Sequence, residues 1–299
     1  MDILIGVGMS KIVPIIVAGG VGSRLWPVST PDLPKQFLPL KQGGTTFENT
    51  LKRVDNSDLF ENPVIVCSDA HALIVRDKLK NKQAHIISEP MRRNTAPAFC
   101  VGTLMSQSLY DDSIVLILPA DHHIPDIGLF QNAVNDAMPM AIAGHIVTLG
   151  ISPEFAHTQY GYIQKGHAIN NRGYQVASFT EKPDIETAES YIKSGDYLWN
   201  AGIFMMRTSV FISEIKKYYP DIYLYAQRAL QNASIQGNVW TLDVDHFSLC
   251  PAISFDYAVM EHTDKASVLA VNFSWRDLGG WDALIEFDVD ENSSQLKAI

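Results

Sequence analysis

Ile12-Val13-Pro14-Ile15-Ile16-Val17-Ala18-Gly19-Gly20-Val21-Gly22-Ser23-Arg24-Leu25-Trp26-Pro27 is the stretch that decides the fold. An apolar run passes without a break into glycines, a hydroxyl and a guanidinium. The run from Ile12 to Ala18 reads as a strand buried on both faces. Pro14 has no N–H to donate, so pairing is expected to become regular only after it. Glycines let the backbone approach a ligand closely and reach positive φ. Successive exposed N–H groups then form an anion-binding concavity. Ser23 adds a hydroxyl and Arg24 a fork that matches phosphate oxygens. Lys35, after a proline-rich turn, adds a point charge. The loop is not a Walker A loop, because no Gly-Lys-Ser/Thr follows. It is not a dinucleotide fingerprint either, since the third glycine would fall at Leu25.

Working outward, Val64–Cys67, His85–Ser88, Ile114–Leu118 and Ile146–Leu149 are further apolar runs of strand length. Helical patterns lie between them. Thr45-Thr46-Phe47-Glu48 fits a capping box. Thr95 can cap a second helix with Pro97 in its first turn, and Phe130–Ala143 reads as a third. Later strands are expected at Tyr160–Gln164, Tyr174–Thr180 and Ile203–Arg207, with a helix over Ser209–Leu230 interrupted at Pro220. This alternation predicts an α/β fold, Rossmann-like, with a central, mostly parallel mixed sheet flanked by helices. Residues 1–10 read as an N-terminal extension, 11–287 as one domain, and 288–299 as a tail or the stub of a further domain.

Composition sets limits. With 299 residues and 46% hydrophobic content, a large core can form. The net charge of -10 argues against nucleic acid as a partner, although a small anion needs only a local cluster of donors. Cys67, Cys100 and Cys250 show no metal-binding spacing and read as reduced thiols, which points to the cytoplasm. No run is long enough to span a bilayer, and no basic n-region suggests a leader.

The segment Gly19–Pro27 followed by Pro34-Lys35-Gln36-Phe37 resembles the signature of the sugar nucleotidyltransferases, in the form typical of their mannose-1-phosphate guanylyltransferase branch. Further matching blocks follow in the family's order. They are Glu89-Pro90 with Arg93-Asn94-Thr95-Ala96-Pro97, Pro119-Ala120-Asp121-His122, Tyr160-Gly161-Tyr162-Ile163 and Phe179–Pro183. Trp199–Phe204, Phe255–Glu261 and Asp277–Trp281 complete the set. Departures are His157-Thr158-Gln159, where Glu-Thr-Gly is usual, and Arg276, where serine is common. The family's C-terminal β-helix or isomerase region finds no match.

The resemblance implies a GT-A-type nucleotidyltransferase fold and a reaction. The oxygen of mannose 1-phosphate attacks the α-phosphorus of GTP, giving GDP-mannose and pyrophosphate. It implies nucleotide binding by Ala18, Gly19, Gly20, Gly22, Ser23, Arg24, Lys35, Glu89, Asn94, Thr95 and Ala96. Tyr160, Gly161, Glu181, Lys182 and Asn200 are implied for the sugar phosphate, with Asn200 able both to donate and to accept. Asp121 and Asp277 are implied as ligands of Mg²⁺ (or Mn²⁺), a hard cation that takes carboxylate and phosphate oxygens. Arg24, Lys35, Asp121, Lys182 and Asp277 form the implied catalytic set. Asp121 follows an apolar strand, at the end where open α/β sheets bind ligands. The pair His122-His123 is expected to pack rather than bind metal, as are Trp26, Trp199, Trp275 and Trp281. Arg93 is open between a surface charge and a site residue. Two alternatives stay open: the same chemistry with another nucleotide and hexose phosphate, and a non-catalytic GDP-mannose-binding homologue. A homodimer also stays open.

Overall fold

The computed structural model describes residues 11–20, 22–41 and 43–281. The expected extension 1–10, Val21 of the glycine loop and the tail 288–299 lie outside the described residues.

β1 (Ile12–Val17) is the axis of the fold. Its residues alternate between two cores, Ile12 and Ile16 in one and Val13 and Ile15 in the other, as a strand with helices on both faces must. α1 (Thr46–Arg53) follows, with Thr45 accepting from the Glu48 N–H as the capping pattern predicts. Then come β2 (Val64–Ser68), α2 (Ala72–Leu79), β3 (His85–Glu89), α3 (Thr95–Tyr110), β4 (Ile114–Pro119) and the short β5 (His122–His123). α4 (Ile127–Ile142) leads to β6 (Ile146–Ile151), β7 (Tyr162–Ala168) and β8 (Gly173–Thr180). α5 (Ile185–Ser194) precedes β9 (Tyr197–Arg207), after which α6 (Thr208–Tyr218) and α7 (Pro220–Gln231) break at Pro220 as expected. β10 (Ser234–Gln236), β11 (Val239–Thr241), α8 (Val244–Phe247), β12 (Ala266–Val271) and β13 (Arg276–Asp277) finish the described chain.

The main sheet has eleven strands in the order β10-β11-β3-β2-β1-β4-β9-β6-β12-β8-β7. From β11 through β4 neighbours run parallel. β9 runs antiparallel to β4 and β6, and the far edge is largely antiparallel, which makes the second half mixed. α1, α2 and α4 cover one face; α3, α6 and α7 cover the other.

Several local expectations need correction. β1 pairs with β4 from Ile12 onward, Pro14 included, whereas its β2 ladder begins at Ile15. Even-numbered residues donate toward β2, as Ile12 to the Leu59 carbonyl and Ala18 to that of Val66 show. Pro14 therefore lacks its donor on the β2 side only. The cap of α3 is Asn94, whose Oδ1 accepts from the Thr95 N–H at 2.8 Å. Thr95 is the first helical residue. Asn94 holds φ 67 and ψ -170, outside the left-handed helical region and a strained backbone state for a residue other than glycine. β12 ends at Val271, six residues before Asp277.

Gly102 on α3 lies against β1: a Cβ there would stand 2.6 Å from Ile15 Cγ2. Gly102→Ala is expected to cost about 1–3 kcal/mol through overpacking. A lower urea midpoint with an unchanged m-value checks this.

Candidate active site

The C-terminal ends of β1, β3 and β4 open onto one cleft of about 400 Å³. Gly19, Gly20, Gly22, Ser23, Arg24, Lys35, Glu89, Asn94, Thr95, Asp121 and Asp277 all line it. The site is thus gathered from five separated segments. Ala18 and Ala96 are not in the lining; both are buried. They form the frame instead: the Ala18 carbonyl accepts from Gln36 Nε2, and the Ala96 N–H donates to the Ile253 carbonyl. Arg93 lines the cleft, and its Nη2 donates to the Ser248 carbonyl. Arg92 and Gly279, not anticipated, join it.

The glycine loop turns at Gly22, where φ is 66 and a Cβ would meet Ser29 Oγ at 2.6 Å and Lys35 Cβ at 2.9 Å. A side chain is excluded on both counts. Next to it Leu25 turns inward against Leu38, Leu40 and Leu278, which sends the neighbouring Trp26 outward, 70% exposed. Trp26 is therefore not a packing group. Trp199 and Trp275 are buried as expected, and Trp281 is exposed.

At the β4 end, Lys35 Nζ stands 2.6 Å from Asp121 Oδ2 and 3.5 Å from Asp277 Oδ1. Burial works against the Lys35 charge, but the two carboxylates outweigh it and hold the ammonium above its ordinary range. Burial likewise opposes the Asp121 charge, and Lys35 draws its carboxyl below the usual value. Asp277 reaches this point through a pairing too short to read from sequence. β13 runs antiparallel to β5, placing Asp277 opposite His122, and the Leu278 N–H donates to the Asp121 carbonyl. A Cβ on Gly279 would stand 2.7 Å from Asp277 Oδ2, so a side chain there would displace this carboxylate.

Ligand atoms of Asp121, His122 and Asp277 lie within 4.8 Å of one another. The oxygens fit a hard cation, and the Lys35 ammonium seated between them shows that the pair attracts positive charge. His122 does not fit. Its Nδ1 accepts from Trp275 Nε1 at 3.2 Å, and burial keeps the ring neutral, which leaves the proton on Nε2 and no free lone pair. Packing is its role here, edge-on to Trp275.

At the β3 end, Glu89 is 5% exposed and faces the cleft. Its Oε1 has no hydrogen-bond partner among the described residues. Burial pushes the carboxyl up to about 8, with Arg92 pulling in the opposite direction. Gly19 leaves it room, since a Cβ there would lie 3.3 Å from Oε2. Glu89 and Asp121 close strands three steps apart in the sheet, about 14 Å at usual strand spacing. That is the scale of a nucleotide laid along the cleft.

The remaining predicted residues gather across β4: Tyr160 and Gly161 lie just before β7, Glu181 and Lys182 just after β8, and Asn200 within β9. Asn200 donates its backbone N–H to the Gly161 carbonyl at 2.8 Å. A Cβ on Gly161 would collide with Glu181 Oε2 at 2.7 Å. Lys182 Nζ pairs with Glu181 Oε1 at 2.6 Å, on a backbone held at φ 49, a strained state for lysine. Tyr160 stacks on His157 and meets Trp199 and Trp275 edge-on, so its ring is part of this aromatic cluster. β9 starts at Tyr197, before the strand expected from Ile203, so Asn200, Ala201 and Gly202 lie inside it, where the β6 register shifts. Gly202 holds φ 65, a backbone state that favours glycine, and faces His122 and Pro119 at ordinary contact distance.

The profile of the nucleotidyl transferase family matches residues 13–294. The chain belongs to the nucleotidyl transferase family. It is 42% identical over 296 residues to a mannose-1-phosphate guanylyltransferase of Salmonella muenchen, covering 97% of this chain and 62% of that protein. It is equally identical over 286 residues to the enzyme of that name from Escherichia coli K12, covering 93% and 60%. The chain spans about three fifths of the length of the curated relatives it matches. A crystal structure from Thermus thermophilus, described as a mannose-1-phosphate geranyltransferase, superposes with a TM-score of 0.81 at 31% identity, over 93% of this chain and 79% of that one. Family members of this kind use a divalent metal, and the Asp121–Asp277 pair is where this chain could hold it. No helix among the described residues is long and apolar enough to cross a membrane.

Proposed function

We propose that the chain transfers GMP from GTP to α-D-mannose 1-phosphate, releasing pyrophosphate and forming GDP-mannose. The names of the similar proteins support this, and one observation carries it. Two carboxylates that clamp a buried ammonium stand at the end of a glycine-lined cleft, between a nucleotide-sized groove and a carboxylate–lysine–amide cluster.

The chemistry divides among these parts. Gly20, Gly22 and Ser23 offer donors to the triphosphate, and Arg24 and Lys35 neutralise it and favour departure of pyrophosphate. Asp121 and Asp277 would hold Mg²⁺ or Mn²⁺. When bound, the cation supplies charge neutralisation at the phosphate oxygens. Lys182 leaves Glu181 to take the sugar phosphate and orient it. One phosphate oxygen forms the new bond to the α-phosphorus while the α–β bridging P–O bond breaks. The attacking phosphate is already ionised, so positioning and electrostatics suffice without a general base.

Glu89 supports guanine as the base. Its Oε1 is buried without a hydrogen-bond partner among the described residues, a carboxylate can accept two parallel donors, and guanine presents such a pair at N1–H and its 2-amino group. Adenine has no N1–H, and the pyrimidines lack the second donor.

Lys182→Ala is expected to raise KM for mannose 1-phosphate roughly 10- to 100-fold, the worth of a charge-assisted hydrogen bond, with KM for GTP within about twofold. Equal losses for both substrates would remove Lys182 from the sugar side. The test of the function itself is product identity. Incubation with both substrates should yield GDP-mannose by mass spectrometry, and its absence from folded, metal-supplied protein would count against the reading.

A further inference from the structure

Asp256 has no part in the chemistry described so far. It opens the π-type turn Asp256–Met260, a geometry frequent at functional sites. Its Oδ1 accepts from Asn200 Nδ2 at 2.9 Å. Burial pushes the Asp256 carboxyl up to about 7, and Glu181 adds to this.

The segment leading into the turn is held by two hydrogen bonds. The Phe255 N–H donates to Thr95 Oγ1 at 2.8 Å, and the Ala96 N–H donates to the Ile253 carbonyl. The Phe255 ring is fully buried against Phe99, Phe204 and Phe211. Asp256 therefore comes from a segment anchored in the core and tied to the first turn of α3.

Asn200 is fixed from the other side as well. Its Oδ1 accepts from the Gly202 N–H at 3.1 Å and from the Thr148 hydroxyl at 2.8 Å, the shorter of that hydroxyl's two contacts, the other being the Ile203 carbonyl at 3.2 Å. A backbone N–H can only donate, which settles the orientation of the amide. Both acceptor positions of Oδ1 are taken, and Asp256 takes one of the two Nδ2 hydrogens.

We propose that Asp256 is a positioning residue for the hexose-phosphate half of the site, holding the Asn200 carboxamide so that it offers substrate one N–H and no acceptor. This rests on the reading of Glu181, Lys182 and Asn200 as the sugar side. It gives that side a polarity: Glu181 accepts and Asn200 donates. A sugar hydroxyl between them donates to Glu181 and receives from Asn200. The sequence-based expectation that Asn200 both donates and accepts is replaced by a donor alone.

The test is a double-mutant cycle on Asp256 and Asn200, read as KM for mannose 1-phosphate, with the side-chain amide signals of Asn200 followed by NMR. Asp256→Ala should raise that KM about tenfold, the loss of one hydrogen bond, with KM for GTP and the melting temperature little changed. Asp256→Asn, whose oxygen still accepts from Asn200, should restore wild-type KM. In an Asn200→Ala background, Asp256→Ala should add nothing. Additive losses, or failure of Asp256→Asn to rescue, would overturn the proposal. If the wild-type chain uses no hexose 1-phosphate, the functional reading has failed. The amide signals then still decide the contact: they move in Asp256→Ala if Asp256 holds Asn200, and unmoved signals overturn it.

Discussion

Asp121→Ala is expected to lower pyrophosphate release by roughly 10²–10³-fold, the scale on which single groups that stabilise transition-state charge act. Asp121 contributes twice. It is the nearer counterion of Lys35, and with Asp277 it makes the cation-attracting pair at the β4 end. Removing it leaves a buried ammonium with only the 3.5 Å contact to Asp277. Asp121→Asn keeps the shape while removing the charge, so it separates chemistry from folding. Both variants should still bind GDP-mannose, as a folded but slow enzyme must. Stability gives an independent check. Burial pushes the Asp121 carboxyl up, and Lys35 draws it below its ordinary value of 3.8. Its contribution is therefore present at neutral pH and lost only as pH falls through the lowered folded value. The Asn variant should lack this acid-side loss. A less than tenfold loss of turnover in both variants would take Asp121 out of the chemistry.

The second large effect concerns Glu89. Glu89→Gln is expected to weaken guanine nucleotide binding about 10²-fold, because an amide meets two donors with one acceptor and one donor of its own. The same change should stabilise the free protein in alkali. The folded carboxyl titrates at about 8 against an ordinary value of 4.5, so between these values the folded chain keeps a proton that the unfolded chain has lost. Wild-type stability accordingly falls as pH rises from about 4.5 to about 8, and the Gln variant escapes that fall. Binding shows the opposite slope. GDP-mannose, whose phosphates do not titrate here, needs the Glu89 carboxylate, so wild-type affinity should drop as pH falls below about 8, with proton release on binding. Calorimetry in buffers of different ionisation heat reads that release. A pH-independent wild-type affinity, or unchanged guanine preference in the variant, would show that Glu89 does not read the base.

These groups are unequally visible in the sequence. β1 and its loop can be read directly, because a strand buried on both faces is a continuous apolar run and a close-approach loop needs glycine. Strand-to-helix alternation shows the parallel half of the sheet for the same reason. α2 escapes such a reading: its buried face is only Ala72, Val75 and Leu79, and the exposed Leu73 blurs the period. β10 escapes it because it is an exposed edge with no buried side. The meeting of Asp277 with Asp121 depends on β5 and β13, which are two residues each and carry no periodic signal. Only the family resemblance points to Asp277. Asn200 is found, but its donor-only state is not, since that depends on Thr148 and Asp256, 52 and 56 residues away in the chain. Glu89 falls in the nucleotide segment without a role. Its burial and empty acceptor arise only when β3 lies beside β2 and Gly19 faces it.

The most direct test of the central claim is pyrophosphate release by the chain supplied with Mg²⁺, run across GTP, dTTP and UTP against mannose 1-phosphate and glucose 1-phosphate. Release that requires GTP and mannose 1-phosphate together is the predicted result. Release that prefers another pair, or none from folded protein with any pair, would contradict it.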